Sequence, residues 1–231
     1  MKAIIFFNCV ISVVFTLCYE YHIFYIFVGL LKKPKKFEAS AQHRFAVVVS
    51  ARNESSVIGN LIASIRSQNY PRELVDIFII ADNCTDNTAE IARSAGAIVY
   101  ERFNKEQVGK GYALDWMFNI IETEYADKNY EGYIIFDADN VLDPNYIAEM
   151  NKVFDNGYRI ITSYRNSKNY DTNWITAGYS LWFLREAKYL NNARMQLGTS
   201  CAISGTGFLV SADVIRENNG WIHHLLTEDI E

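Results

Sequence analysis

Asp137 and Asp139 stand one residue apart where the apolar run Tyr133–Phe136 ends, in the string Asp137-Ala138-Asp139-Asn140. Two carboxylates this close repel unless a cation or hydrogen-bond donors compensate them. Hard divalent ions, Mg²⁺ or Mn²⁺, take carboxylate together with phosphate oxygens, so the pair suits an ion that bridges a diphosphate leaving group. The competing reading is a turn, because Asp and Asn favour turns and Asp143-Pro144 lies just beyond. Glu228-Asp229, with Glu231, is a second acidic cluster, in which mutual repulsion would suit one member to act as a general base. Its competing reading is a solvated helix start. Lys110 stands between Gly109 and Gly111, as a flexible cation for phosphate or nucleotide or as a surface helix start. Cys9, Cys18, Cys84 and Cys201 form no C-x-x-C pattern and read as free thiols of a reducing compartment rather than a zinc site.

The elements around these residues alternate. Phe45–Ser50 is a valine-rich strand, followed by Val57, Ile58, Leu61, Ile62 and Ile65 at helical spacing, with Asn53 or Ser55 as the expected cap. Asp76–Ala81 is a second strand, Asp86–Ala95 a helix ended by Gly96, and Ala97–Tyr100 a third strand. Tyr112–Glu122 is helical and Tyr133–Phe136 is a fourth strand. Short apolar strands alternating with helices imply an α/β fold with a mainly parallel sheet covered on both faces. Such sheets bind ligands beyond the carboxyl ends of their strands. The polar clusters Arg52-Asn53-Glu54, Asp82-Asn83 and Asp137–Asn140 all come directly after strands, so they mark a site. No Gly-x-Gly-x-x-Gly follows the first strand and no Walker sequence occurs, which sets aside the ordinary dinucleotide and P-loop readings. From Asp171 to Arg194 a helical stretch carries Trp174, Tyr179, Trp182 and Phe183, read chiefly as core, with sugar or membrane contact as alternatives.

The chain has 231 residues, 50% hydrophobic and 21% charged, which excludes disorder and leaves room for one sizeable domain. Its net charge of −5 lacks the basic excess that non-specific nucleic-acid binding needs, so no nucleic-acid partner is expected. Residues 3–31 are almost continuously apolar and long enough to anchor the chain in a lipid bilayer, although Glu20 lies inside the stretch. Residues 32–44 form a linker whose Lys32, Lys33, Lys35 and Lys36 place the carboxyl-terminal side of the anchor in the cytoplasm by the positive-inside bias. Residues 45–231 form the remaining domain.

Val49-Ser50-Ala51-Arg52-Asn53-Glu54, Asp82-Asn83-Cys84-Thr85-Asp86, Gly109-Lys110-Gly111, Asp137-Ala138-Asp139, Ser204-Gly205-Thr206-Gly207 and Thr227-Glu228-Asp229 occur in an order that resembles family 2 inverting glycosyltransferases. The likeness runs from about Phe45 onward and is greatest to the membrane-associated branch of chitin, cellulose and hyaluronan synthases and exopolysaccharide glycosyltransferases. It implies a GT-A fold, a Rossmann-like mainly parallel sheet flanked by helices, here preceded by the anchor. It further implies a nucleotide-diphosphate sugar donor, UDP by preference, a glycan or lipid-linked acceptor, and Mn²⁺ or Mg²⁺.

By motif, Ala51, Arg52, Asn53 and Glu54 would line the nucleotide pocket, Asp82 would bond the base and Lys110 would contact the nucleotide. Asp139 would hold the metal, and Asp137 the ribose or the metal shell. Gly205, Thr206, Gly207 and Glu228 would lie on the acceptor side, and Asp229 would be the catalytic base. Ala81 replaces the usual first aspartate of the second motif, which leaves base recognition to Asp82. The Gln/Arg-x-x-Arg-Trp motif expected after Asp229 does not occur, so the domain is expected to be truncated at its carboxyl end. A non-catalytic or truncated membrane-tethered nucleotide-sugar-binding module is therefore the alternative. A nucleotidyltransferase is disfavoured, since residues 50–56 contain no glycine to hold a triphosphate.

Overall fold

The computed structural model describes residues 2–223. They fall into two compact units, one of residues 2–36 with Ser163–Ala202, the other of Phe37–Thr162 with residues 203–223.

The second unit holds a sheet of β1 (Phe45–Ala51), β2 (Val75–Asp82), β3 (Ile98–Arg102), β4 (Gly132–Asp137), β5 (Ile160–Thr162) and β6 (Phe208–Ser211). The spatial order is β3-β2-β1-β4-β6-β5. β1 pairs in parallel with β2 and β4, and β2 with β3, whereas β6 runs antiparallel to β4 and β5. The mainly parallel α/β expectation therefore holds. The central strands are apolar on both faces because both are covered. Val47, Val49, Ile79 and Ile134 face α2 (Ile58–Arg66), α3 (Thr88–Ser94) and α5 (Tyr146–Asp155). Val48, Phe78, Ile80 and Tyr133 face α4 (Lys110–Glu124) and α8 (Ala212–Glu217).

Each parallel strand runs further at its carboxyl end than apolar character alone predicts. Register explains it: Ser50 lies opposite Asp137, Ala51 opposite Ala81 and Asp82 opposite Arg102, so the ladder continues into the polar residues. The helix starts also differ. α2 begins after Val57, which makes no side-chain cap bond, and neither Asn53 nor Ser55 caps it. Asn53 Oδ1 instead accepts from Thr85 N at 2.8 Å. α3 begins at Thr88, whose N–H bonds Asp86 Oδ1 at 3.0 Å, and its following Gly96 has the left-handed conformation expected of it.

The first unit consists of α1 (Lys2–Leu31), α6 (Trp174–Arg185), a π-helical turn (Glu186–Asn191) and α7 (Asn192–Leu197). α1 is long and apolar enough to cross a membrane. Asn173 caps α6, its side-chain oxygen accepting from Ile175 N and Thr176 N. No residue of α6 is buried, which overturns the core reading of its aromatics. Helical spacing identifies a continuous apolar surface but carries no information about what covers it.

Candidate active site

The chain runs outward through β1, β2 and β3, then returns to the other side of β1 as β4. That reversal opens a crevice beyond the carboxyl ends of β1 and β4. A cavity of about 380 Å³ lies there, lined by Ser50, Arg52, Glu54, Asp82, Gly109, Lys110, Asp137, Ala138 and Asp139. Six of the eight expected donor-side residues share it. The other two, Ala51 and Asn53, do not line it: Ala51 is buried at the end of β1, and Asn53 sits in the left-handed region, which Asn tolerates, with its amide turned to Thr85.

The first loop is held from behind. Glu54 N donates to Thr88 Oγ1 at 2.8 Å and Ser55 N to Asp86 Oδ2 at 3.2 Å. The Thr88 hydroxyl, above all, holds the Asp86 carboxyl down to about 2. These bonds leave Arg52 and Glu54 to the cleft.

Asp137 ends β4, while Asp139 lies in the turn beyond it. They reach the same cavity through that turn. Lys110, the first residue of α4, donates to Asp137 Oδ1 at 2.8 Å and to the Gly205 carbonyl at 2.5 Å. Thr206 Oγ1 accepts from Asp137 N at 2.8 Å and donates to Asn140 Oδ1 at 2.6 Å. The 205–207 loop is thereby fastened over the acidic turn. Gly205 and Gly207 have φ of 59° and 68°, a left-handed backbone that a side chain would strain.

Asp82 is buried at the end of β2, and its Oδ1 accepts from Arg102 Nη1 at 2.7 Å and from Asn83 Nδ2 at 3.1 Å. Its Oδ2 takes no hydrogen bond from the described residues, and Asp82 lines the cavity. Arg102, equally buried, also bonds the Gln107 carbonyl at 2.7 Å, tying Asp82 to the loop that leads to Lys110. Sequence reasoning missed Arg102. The available signal was a cation closing an otherwise mostly apolar strand. Glu228 and Asp229 lie outside the described residues, as do Thr227, His224 and Glu231.

The donor set fits a divalent ion of the Mg²⁺ or Mn²⁺ kind. Among the described residues no three His, Cys, Asp or Glu side chains converge to enclose a cation. Asp137, half exposed, and Asp139 offer hard oxygens on one side of an open cleft, the arrangement that such ions complete with substrate phosphates.

A family profile described as "Glycosyltransferase like family 2" matches residues 43–231. A β-monoglucosyldiacylglycerol synthase of Nostoc sp. (strain PCC 7120) is 24% identical over 214 residues, covering 86% of this chain and 43% of that protein. The chain thus spans less than half the length of that relative. Among solved structures, the mannosyltransferase PcManGT from Pyrobaculum calidifontis, in complex with GDP-Man and Mn²⁺, superposes with TM-score 0.64 at 17% identity, over 95% of this chain and 61% of its own. S. aureus TarS 1-349 in complex with UDP-GlcNAc gives 0.56 at 16% identity, over 80% and 51%. These two likenesses are of fold.

Proposed function

The chain belongs to the glycosyltransferase like family 2, and from that premise we propose a metal-dependent inverting enzyme that moves a sugar from a nucleotide-diphosphate donor, UDP-linked by preference, to a glycan or lipid-linked acceptor at the cytoplasmic face of a membrane. One observation carries the reading: a single cleft gathers a cation, two neighbouring carboxylates and a half-occupied buried carboxylate. These are the groups that a diphosphate, its counter-ion and an N–H of a base require.

In this reading Asp82 Oδ2 accepts from the base, and Arg52 and Glu54 border the nucleoside. Lys110 stays on Asp137 while presenting its charge to the phosphates. A divalent ion on Asp139, with Asp137 in its shell, would offset the charge of the departing diphosphate. Asp229 takes the proton of the acceptor hydroxyl as that oxygen attacks the anomeric carbon. The new C–O bond forms opposite the breaking bond to the diphosphate, so the configuration inverts. Gly205, Thr206, Gly207 and Glu228 border the acceptor. A lipid acceptor is supported by the Nostoc relative, whose name is that of a lipid glycosyltransferase, and by a 30-residue apolar helix in this chain.

The test is release of nucleoside diphosphate from a panel of nucleotide sugars, with and without Mn²⁺, by the membrane-embedded chain and its Asp229→Asn variant. Metal-dependent release is expected, reduced roughly 10²- to 10⁴-fold in the variant. Equal release by both would remove Asp229 from the mechanism. Donor binding without release would make the chain a nucleotide-sugar-binding module.

A further inference from the structure

α6 turns an apolar face outward. Trp174, Ile175, Gly178, Tyr179, Leu181 and Trp182 fall on one side of the helix by its 3.6-residue period. Trp174 is 82% exposed, Leu181 68% and Trp182 59%. The edge of this face beyond Tyr179 is occupied within the same unit, where the Arg165 guanidinium lies 4.5 Å from the Phe183 ring centre. A face this apolar is not left to water without a partner.

The cover is set by where the segment is tied. Arg185 Nη2 lies 3.0 Å from His22 Nδ1, and the Arg194 guanidinium 5.6 Å from the Tyr25 ring centre. A Cβ placed on Gly29 would meet the Lys188 carbonyl oxygen at 3.1 Å, so α1 and the π-helical turn approach closely there. The end of α6, that turn and α7 are thus bound along the last ten residues of α1. Those residues, at 1.5 Å each, cover roughly 13 Å. A helix of 30 residues is about 45 Å long, enough for the hydrocarbon core and both headgroup layers. Its final third therefore runs from the upper acyl chains to the water, where Lys32, Lys33, Lys35 and Lys36 stand. The end of α6, the π-helical turn and α7 share its depth.

We propose that the outward face of α6 is a second membrane-contacting surface, lying in the headgroup–acyl boundary of the leaflet from which the carboxyl end of α1 emerges. This rests on the reading of α1 as a membrane span. The composition matches the boundary: Trp and Tyr settle there, and Arg and Lys reach from apolar contacts toward headgroups. Arg185 lies 5.1 Å from the Trp182 ring centre and Lys188 Nζ 5.3 Å from that of Tyr189, both basic heads carried on aromatic faces. The lysine run and these cations complement an anionic leaflet. A lone spanning helix is free to spin about its axis; a second contact removes that freedom and gives the unit one orientation to the bilayer.

The test uses the full chain in vesicles of phosphatidylcholine and phosphatidylglycerol whose acyl chains carry bromine at upper, middle or terminal carbons. Tryptophan emission is expected to be quenched most by bromines about 5–10 Å below the headgroup boundary, with that component lost in Trp174→Phe/Trp182→Phe. The emission of Trp116 and Trp221, both in the other unit, is measured by itself in that double variant and subtracted. A chain that resists alkaline extraction yet emits equally in brominated and ordinary lipid would overturn the proposal and leave the α1 span standing. A chain that washes off would overturn both.

Discussion

At the residue scale the informative pair is Asp82 with Arg102. Both side chains are about 5% exposed, and they meet at 2.7 Å across adjacent strands. Removing one member of such a pair leaves a buried charge uncompensated, at a cost of about 3–5 kcal/mol, whereas replacing both by apolar groups is often neutral. Arg102→Met is therefore expected to destabilise the chain by that amount in urea titration, and Asp82→Leu added to it to restore much of the loss. Additive losses would mean that the two side chains are not coupled. Lys110 is the second informative residue. Lys110 bonds Asp137, and the proposed function makes Asp139 the principal metal residue, so Asp139→Asn is expected to abolish the Mn²⁺ dependence of nucleoside-diphosphate binding in calorimetry. Asp137→Asn should weaken binding with the metal response kept.

At the element scale the sheet is secured at the end opposite the cleft. His43, just before β1, bonds Glu131 at 2.7 Å and Asp155 at 2.8 Å, joining the starts of β1 and β4 to the end of α5. Burial by itself lowers the affinity of His43 for its proton, yet the two carboxylates outweigh it and the pKa is raised above 6.5. That contribution is complete below pH 6.5 and is lost as pH rises through the raised value. Asp155, held down to about 2 by the Ser40 N–H first and His43 second, contributes above its ordinary 3.8 and loses this as pH falls toward 2. The clamp is therefore strongest between pH 3.8 and 6.5. In thermal melts, the stability gap between the native chain and His43→Gln should narrow on the alkaline side. A gap constant from pH 6.5 upward would exclude a protonated clamp.

At the scale of the whole molecule, ligand and stability are linked. A ligand that binds only the folded state stabilises it by about 2.7 kcal/mol at a hundred times its Kd. With UDP and Mn²⁺ together, the melting temperature of the sheet-containing unit should rise, and with either alone it should rise much less, because among the described residues no three acidic side chains converge on an ion and phosphate oxygens are needed to complete its shell. An equal rise with UDP alone would point to Lys110 as the sufficient phosphate ligand. Scanning calorimetry of the chain in detergent, with UDP, GDP and Mn²⁺ in combination, measures this and ranks the two bases.

The alternation of strands and helices, the apolar span and the positions of the acidic and glycine motifs were legible from residue order, because periodicity and turn chemistry depend on neighbours in the chain. That six of the expected residues would share one cleft was legible for the same reason: their motifs sit at the ends of strands or open a helix, and parallel strands bring such ends together. Tertiary structure decided the rest. Lys110 finds partners 27 and 95 residues away, at Asp137 and Gly205. Arg102 meets Asp82 only because β3 lies beside β2 in that register. Ala51 and Asn53 belong to the same motif as Arg52 but turn from the cleft, since one is consumed by the strand and the other by Thr85. The α6 aromatics read as core because hydrophobic spacing records that a face must be covered, and the proposal that lipid covers it rests on tertiary contacts, those that tie the end of α6, the π-helical turn and α7 to the end of α1.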